Sequence, residues 1–309
     1  MTAATGAEVA AGGPGGFRSA RRRASAGLFK RGWLRLTLTL GAPAAWFVLI
    51  YLAALAILFV SAFWRVDAFT GDVVHDWNLD NFTTIVESDT YRTIALRTIG
   101  IAAAVTVTDA LLAIPFAYFA ARLAPKQLQT VLFVIVLVPL WTSYLVRVYA
   151  WRLILAHDGI LNWTLHKLGF GGVDIAYSNW AMWVVFSYLW LPFMILPVWV
   201  AFERVPTSFL EASADLGARG ATTFRRVLLP MVLPGIVAGS IFTFSLTLGD
   251  FITPTLVGGA GSDFIGNVVY SSVGIANNVP FAAAFATIPL LVMGVYLLVA
   301  RKLGAFEAL

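Results

Sequence analysis

The sequence predicts an all-α polytopic membrane protein with six transmembrane helices. Three observations carry that prediction. The 309 residues are 60% hydrophobic and only 12% charged, about half the charge of a soluble domain, which is roughly 25%. Six uncharged or nearly uncharged stretches reach the roughly 20 residues that a helix needs to cross the hydrocarbon core. None of them alternates apolar and polar residues as a barrel strand does, and lipid tolerates only helices or closed barrels.

The spans are expected at about 42–63, 98–121, 131–155, 180–202, 230–248 and 280–300. Residues 1–40 are rich in Ala, Gly and Arg and read as a disordered basic tail. Residues 41–309 then form one six-helix domain. The first span, at about 22 residues, exceeds the core of a signal peptide and is read as an anchor. The second carries Asp109 and the third Arg147. Each charge costs at least roughly 2.5–3.5 kcal/mol inside lipid, so both are expected to face protein or water. At a rise of 1.5 Å per residue they lie about 16 Å and 12 Å below the outer ends of their spans, so a pair or a shared polar cavity is expected. Trp183, Trp190 and Trp199 in the fourth span read as packing residues. Asp250 and Thr253 follow the fifth span and are expected to face an outer vestibule. Pro139, Pro192, Pro197, Pro230, Pro234 and Pro289 interrupt spans or mark their ends.

Charge sets the orientation. Arg18, Arg21, Arg22, Arg23, Lys30, Arg31 and Arg35 precede the first span, and Arg122 and Lys126 follow the second. Arg204, Arg219, Arg225 and Arg226 follow the fourth, and Arg301 and Lys302 the sixth. All fall on one side, which the positive-inside rule makes cytoplasmic, together with both termini. The pI near 9.6 is thus a topology signal, and no nucleic-acid partner is expected. Membrane lipid is. The loop after the first span carries Asp67, Asp72, Asp76, Asp80, Glu87 and Asp89, an acidic outer surface suited to cations or to a basic partner face. Cysteine is absent, and His75, His157 and His166 lie in loops without metal-ligand spacing, so no metal site is expected. No convergent nucleophile, base or acid appears, so no catalytic residue is expected.

The loop at about 203–229 is a polar island between the fourth and fifth spans. Ser208 and Glu211 have the spacing of a capping box, and Gly217 suits the left-handed turn that ends a helix. A helix is expected over 209–216. Phe209, Ala212, Ser213 and Leu216 fall on one face of it, at i, i+3, i+4 and i+7. A second short helix is expected to start at Thr222 or Thr223 and lead into Pro230. A short helix with an apolar face fits a groove on another protein.

Glu211-Ala212-Ser213, three residues, Gly217, nine residues, Val227, one residue and Leu229-Pro230 resemble the coupling loop of ATP-binding-cassette importer permeases. There the pattern is Glu-Ala-Ala, Gly, Ile and Leu-Pro at the same spacing. Beyond the loop, Ser143-Tyr-Leu-Val-Arg147-Val-Tyr149-Ala-Trp151, Gly159-Ile-Leu-Asn162, Leu191-Pro-Phe-Met-Ile-Leu-Pro197, Gly249-Asp-Phe-Ile-Thr-Pro254 and Ile265-Gly-Asn267 resemble the permease of spermidine/putrescine importers. The resemblance implies a type I importer architecture in the bacterial inner membrane, with Ser208 to Pro230 meeting an ATPase subunit. It also implies a second permease, as copy or homologue, and an extracytoplasmic solute-binding protein. The substrate implied is a polyamine; ferric iron, thiamine or another amine is the alternative, since related permeases share much of the pattern. A secondary carrier would need deep ion-coupling carboxylates and inverted repeats, and only Asp109 is deep. Asp109, Trp141, Tyr144, Arg147, Asp250 and Thr253 are the candidate path residues. None of the four lysines follows glycine, so the chain lacks the Gly-Lys of a P-loop. ATP and Mg are expected on the partner ATPase, and no cofactor on this chain.

Overall fold

A computed structural model describes residues 39–302 apart from 42 and 68. The tail expected over 1–40 lies almost wholly outside the described residues. The chain forms two compact units, Met1–Leu58 and Phe59–Leu309. The first unit holds most of α1 (Thr39–Ser61), whose turn at Phe47–Leu52 is π-helical. No described side chain of that unit is buried. This suits an apolar helix whose whole surface meets lipid or another chain.

In the second unit, a two-stranded hairpin (β1, Arg65–Val66; β2, Val73–Val74) leads to α2 (Asp80–Glu87) and the long α3 (Asp89–Leu123). Then come α4 (Lys126–Trp141), α5 (Tyr144–Leu155) and α6 (Ile160–Lys167). α7 (Asn179–Arg204) follows, then α8 (Thr207–Asp215), α9 (Gly220–Gly249), α10 (Ile265–Gly274) and α11 (Val279–Lys302). Among the described residues five helices are long and apolar enough to cross a membrane, and six if the bent stretch from α4 to α6 is one span.

That bend corrects the straight third span expected over 131–155. The helix stops at Trp141 and restarts at Tyr144, turned by 94°. Thr142 and Ser143 are extended, with ψ of 149° and 135°. Thr142 turns its N–H and its hydroxyl back to the Pro139 carbonyl at 3.3 and 2.8 Å. Hydropathy sums cannot see such a break because the residues at it are uncharged.

α3, α7 and α9 pack on one another as the centre of the unit. In lipid there is little hydrophobic force between helices, so close packing of small residues carries the association. On α3, Ala102, Ala113, Ala117 and Ala120 are fully buried, whereas Val107, Leu111 and Leu112 are more than half exposed. The inner face is thus marked by small residues and by the polar Thr98, Thr106 and Asp109. On α9, Gly235 and Gly239 face α7. A Cβ on Gly235 would lie 2.4 Å from Ala201 Cβ, and one on Gly239 would lie 2.8 Å from Met194 Sδ. This Gly-x-x-x-Gly pair is legible in the sequence by its spacing. The loops are pinned by buried amides: Asn81 Nδ2 donates to the carbonyls of Ala62 and Trp64 at 2.9 and 2.7 Å.

Candidate functional site

Two groups of candidate residues sit at the two ends of α9. At its start is the polar loop. Its helix α8 begins at Thr207, with Pro206 as the N-cap, so the capping box expected for Ser208 and Glu211 is not formed. Proline is pre-set for the extended N-cap backbone (φ −64°, ψ 141°). The helix therefore starts earlier than expected, and Ser208 falls inside the first turn. The other end follows expectation. Gly217 has φ +74°. Its N–H donates to Ala214 O at 2.8 Å and the Ala218 N–H to Ser213 O at 3.0 Å, the paired bonds of a Schellman turn.

The expected apolar face of α8 divides. Ser213 is buried and its hydroxyl lies 2.8 Å from that of Thr223 at the start of α9. Leu210 packs with Phe224 and Leu229 on the core around Phe202 and Leu228. Phe209, Ala212 and Leu216 point outward, Leu216 being 88% exposed. Glu211 is exposed as well. Val227 and Leu229 are half-buried and Pro230 exposed. The second short helix and the fifth span are one continuous helix, α9, rather than separate elements meeting at Pro230. A π turn at Phe224–Leu228 precedes the proline; a proline lacks the N–H that an α-helix needs, and a widened turn accommodates that loss.

Arg122, at the end of α3, donates to the carbonyls of Phe202 and Val205. It fixes the ends of α3 and α7 to each other just before α8. No local pattern in the sequence signals this role.

At the far end of α9 is a polar knot. Asp250 Oδ1 accepts from the N–H groups of Ile252 and Thr253 at 2.7 and 3.0 Å. Its Oδ2 accepts from the hydroxyls of Thr253, at 3.2 Å, and Tyr144. The Tyr144 hydroxyl also lies 2.7 Å from Thr253 Oγ1, and its ring stacks on Trp190 at 5.8 Å. Asn267 Nδ2 reaches Phe251 O at 2.9 Å and Thr255 Oγ1 at 2.7 Å. Three separate sequence stretches, around Tyr144, Asp250 and Asn267, therefore converge here. Asp250 is 9% exposed and Thr253 not at all. Within the chain their polar groups are engaged by the turn and by Tyr144.

The expected Asp109–Arg147 pair is not formed. Both oxygens of Asp109, and Nε and Nη1 of Arg147, are buried without a hydrogen-bond partner, and no ion pair joins them. The break after Trp141 invalidates the straight-helix depth given to Arg147. Asp109 lies instead beside Ser187 of α7, whose hydroxyl is also unpartnered. One turn away, Trp183 Nε1 donates to Thr108 Oγ1 at 3.1 Å. Trp190 and Trp199 are buried in the packed helices as expected. Trp141 is 79% exposed, at the break. Among the described residues no cluster of three or more His, Cys, Asp or Glu is placed to hold a metal ion.

This arrangement, an apolar spanning unit with a short helix set out from it on a clasp, is that of a transport permease. Residues 113–304 match the family described as "Binding-protein-dependent transport system inner membrane component". The chain belongs to that family and is a permease subunit of an ATP-binding-cassette importer. It is 46% identical to the inner membrane ABC transporter permease protein YdcU of Escherichia coli (strain K12), over 89% of this chain and 92% of that protein. It is 34% identical to the spermidine/putrescine transport system permease protein PotB of the same organism, over 82% and 92%. Its fold is similar to a chain in the crystal structure of a bacterial alginate ABC transporter in complex with alginate pentasaccharide-bound periplasmic protein. That match has a TM-score of 0.70 and 17% identity and covers 90% and 96% of the two chains.

Proposed function

We propose that this permease forms half of the path for a polyamine or a related small amine, driven by a separate ATPase that grips α8. The carrying observation is the outward row of Phe209, Ala212 and Leu216 on a helix locked by the Ser213–Thr223 bond and the Gly217 turn. Exposed apolar side chains on a short, rigid helix fit a groove of a partner. ATP and Mg belong to that partner. A second permease completes the path, and an extracytoplasmic binding protein delivers the solute; a binding protein is seated in the alginate transporter. Asp109, Trp141, Tyr144, Arg147, Asp250 and Thr253 are the candidate path residues on this chain. In this reading both termini and α8 are cytoplasmic, because Arg122, Lys126, Arg204, Arg219, Arg225, Arg226, Arg301 and Lys302 share one membrane face. The similarity to PotB and the acidic outer loop support an amine cargo. The test is ATP hydrolysis by the reconstituted assembly with spermidine, putrescine, ferric iron and thiamine in turn. Stimulation by a polyamine alone supports the reading, and stimulation by ferric iron or thiamine overturns its substrate part.

A further inference from the structure

A groove of about 390 Å³ runs between α4 and α7 at the membrane face that also carries α8. The two helices run in opposite directions along it, so their polar ends meet. Lys126, at the start of α4, and Glu203, near the end of α7, stand at the mouth with Gln129. Neither Lys126 nor Glu203 has an ion-pair partner among the described residues. Further in, the walls are Phe133, Leu196 and Val200. Seven residues of helix separate Lys126 from Phe133, about 10 Å at the α-helical rise. The groove therefore passes from charged to apolar over roughly the depth of a lipid headgroup and the start of its chains.

The level of the groove is fixed independently. Only Ala124 and Pro125 separate α3 from α4, and Arg122 ties the end of α3 to the Phe202 and Val205 carbonyls at the end of α7. The mouth thus lies at the helix ends, where the span meets the interface. Glu203 is held in place: its Oε1 accepts from Trp199 Nε1 at 2.8 Å, and the Trp199 ring packs edge to face on Phe133 at 5.9 Å. Its second oxygen is uncommitted.

We propose that this groove binds an aminophospholipid, with the phosphate on Lys126, the primary ammonium on Glu203 and the acyl chain against Phe133, Leu196 and Val200. One cation and one anion at the mouth match a zwitterion. A phosphatidylglycerol headgroup offers Glu203 no cation. A choline headgroup has the charge but no N–H to donate, so it forgoes the charge-assisted bond that a primary ammonium makes. Basic grooves between helices at the inner face are an established kind of lipid site; here the carboxylate narrows the class.

The test reads lipid binding and not transport, so its result is independent of the cargo and of the ATPase. The full chain, purified in detergent, is titrated with phosphatidylethanolamine, phosphatidylcholine and phosphatidylglycerol and the retained lipid is counted by native mass spectrometry. Phosphatidylethanolamine is expected to be retained about tenfold better than phosphatidylcholine, the scale of one charge-assisted hydrogen bond. Glu203→Gln should erase that preference while Lys126→Gln weakens both zwitterions, with helix content and elution profile unchanged. Equal retention of the two zwitterions by the unmodified chain overturns the proposal. So does a preference that survives Glu203→Gln, or a groove occupied by a second copy of the chain whatever lipid is present.

Discussion

The two ends of α9 solve opposite problems. At Asp250 the chain buries polar groups and satisfies them internally, with four donors on one carboxylate. At α8 it leaves apolar groups outside, with Leu216 and Phe209 88% and 49% exposed. A buried polar group that is fully bonded rigidifies its surroundings, whereas an exposed apolar row on a firm helix is unfinished until a partner covers it. The α9 helix between them spans 30 residues, about 45 Å at the α-helical rise. One end is built as an anchor and the other as a handle.

The sharpest way to break the comparison is at the anchor. Asp250→Ala removes the acceptor of four bonds and leaves the half-buried Tyr144 hydroxyl with Thr253 alone. We expect a loss of about 3 kcal/mol in stability, read as a lowered midpoint of unfolding in detergent. If the midpoint is unchanged, the knot is not an anchor. At the handle the pattern should invert. Leu216→Asp should leave stability within about 0.5 kcal/mol, as at an exposed site. It should cost about 2 kcal/mol in association with the ATPase, or roughly thirtyfold. Quantitative co-purification checks this, and equal recovery of the ATPase would remove α8 from the interface.

A smaller effect separates the rigidity of α8 from its surface. Gly217→Ala forces a Cβ into the left-handed turn at φ +74° and should cost about 1 kcal/mol. Nothing lies within 4 Å of that Cβ, so any loss of ATPase binding beyond that reflects the orientation of the helix and not a clash. The smallest effect concerns the outer hairpin. The backbone N–H groups of Thr70 and Phe69 hold the Asp67 carboxyl below the usual carboxylate range. A lowered value in the folded state means that the turn is favoured above the unfolded value of about 3.9. That support is lost as the pH falls through the lowered value. NMR titration should show the Thr70 amide moving with Asp67 below about pH 4 and not near neutrality.

Local chemistry made several elements legible. Gly217 was readable as a helix stop because few other residues adopt its φ. The Glu211-to-Pro230 spacing pointed to the loop before any fold was known. Local chemistry also misled. Ser208 and Glu211 had capping spacing, yet Pro206 took the cap. Tyr144, Asp250 and Thr253 were each singled out as path residues, but their mutual bonding was not legible, because Tyr144 and Asp250 are 106 residues apart.

By itself the sequence determined that this chain lives in a membrane, how many stretches can cross it, and which loop resembles a motor contact. Those properties follow from sums of side-chain transfer energies and from fixed local spacings, which need no partner in space. Only the tertiary structure decided that the third span breaks at Thr142, that Asp109 meets Ser187 and not Arg147, and that Lys126 and Glu203 flank one groove. Each of these depends on which helix faces set against each other. In lipid that choice rests on small-residue packing, whose Gly-x-x-x-Gly spacing marks one helix without naming the helix it meets, and on hydrogen bonds between distant positions.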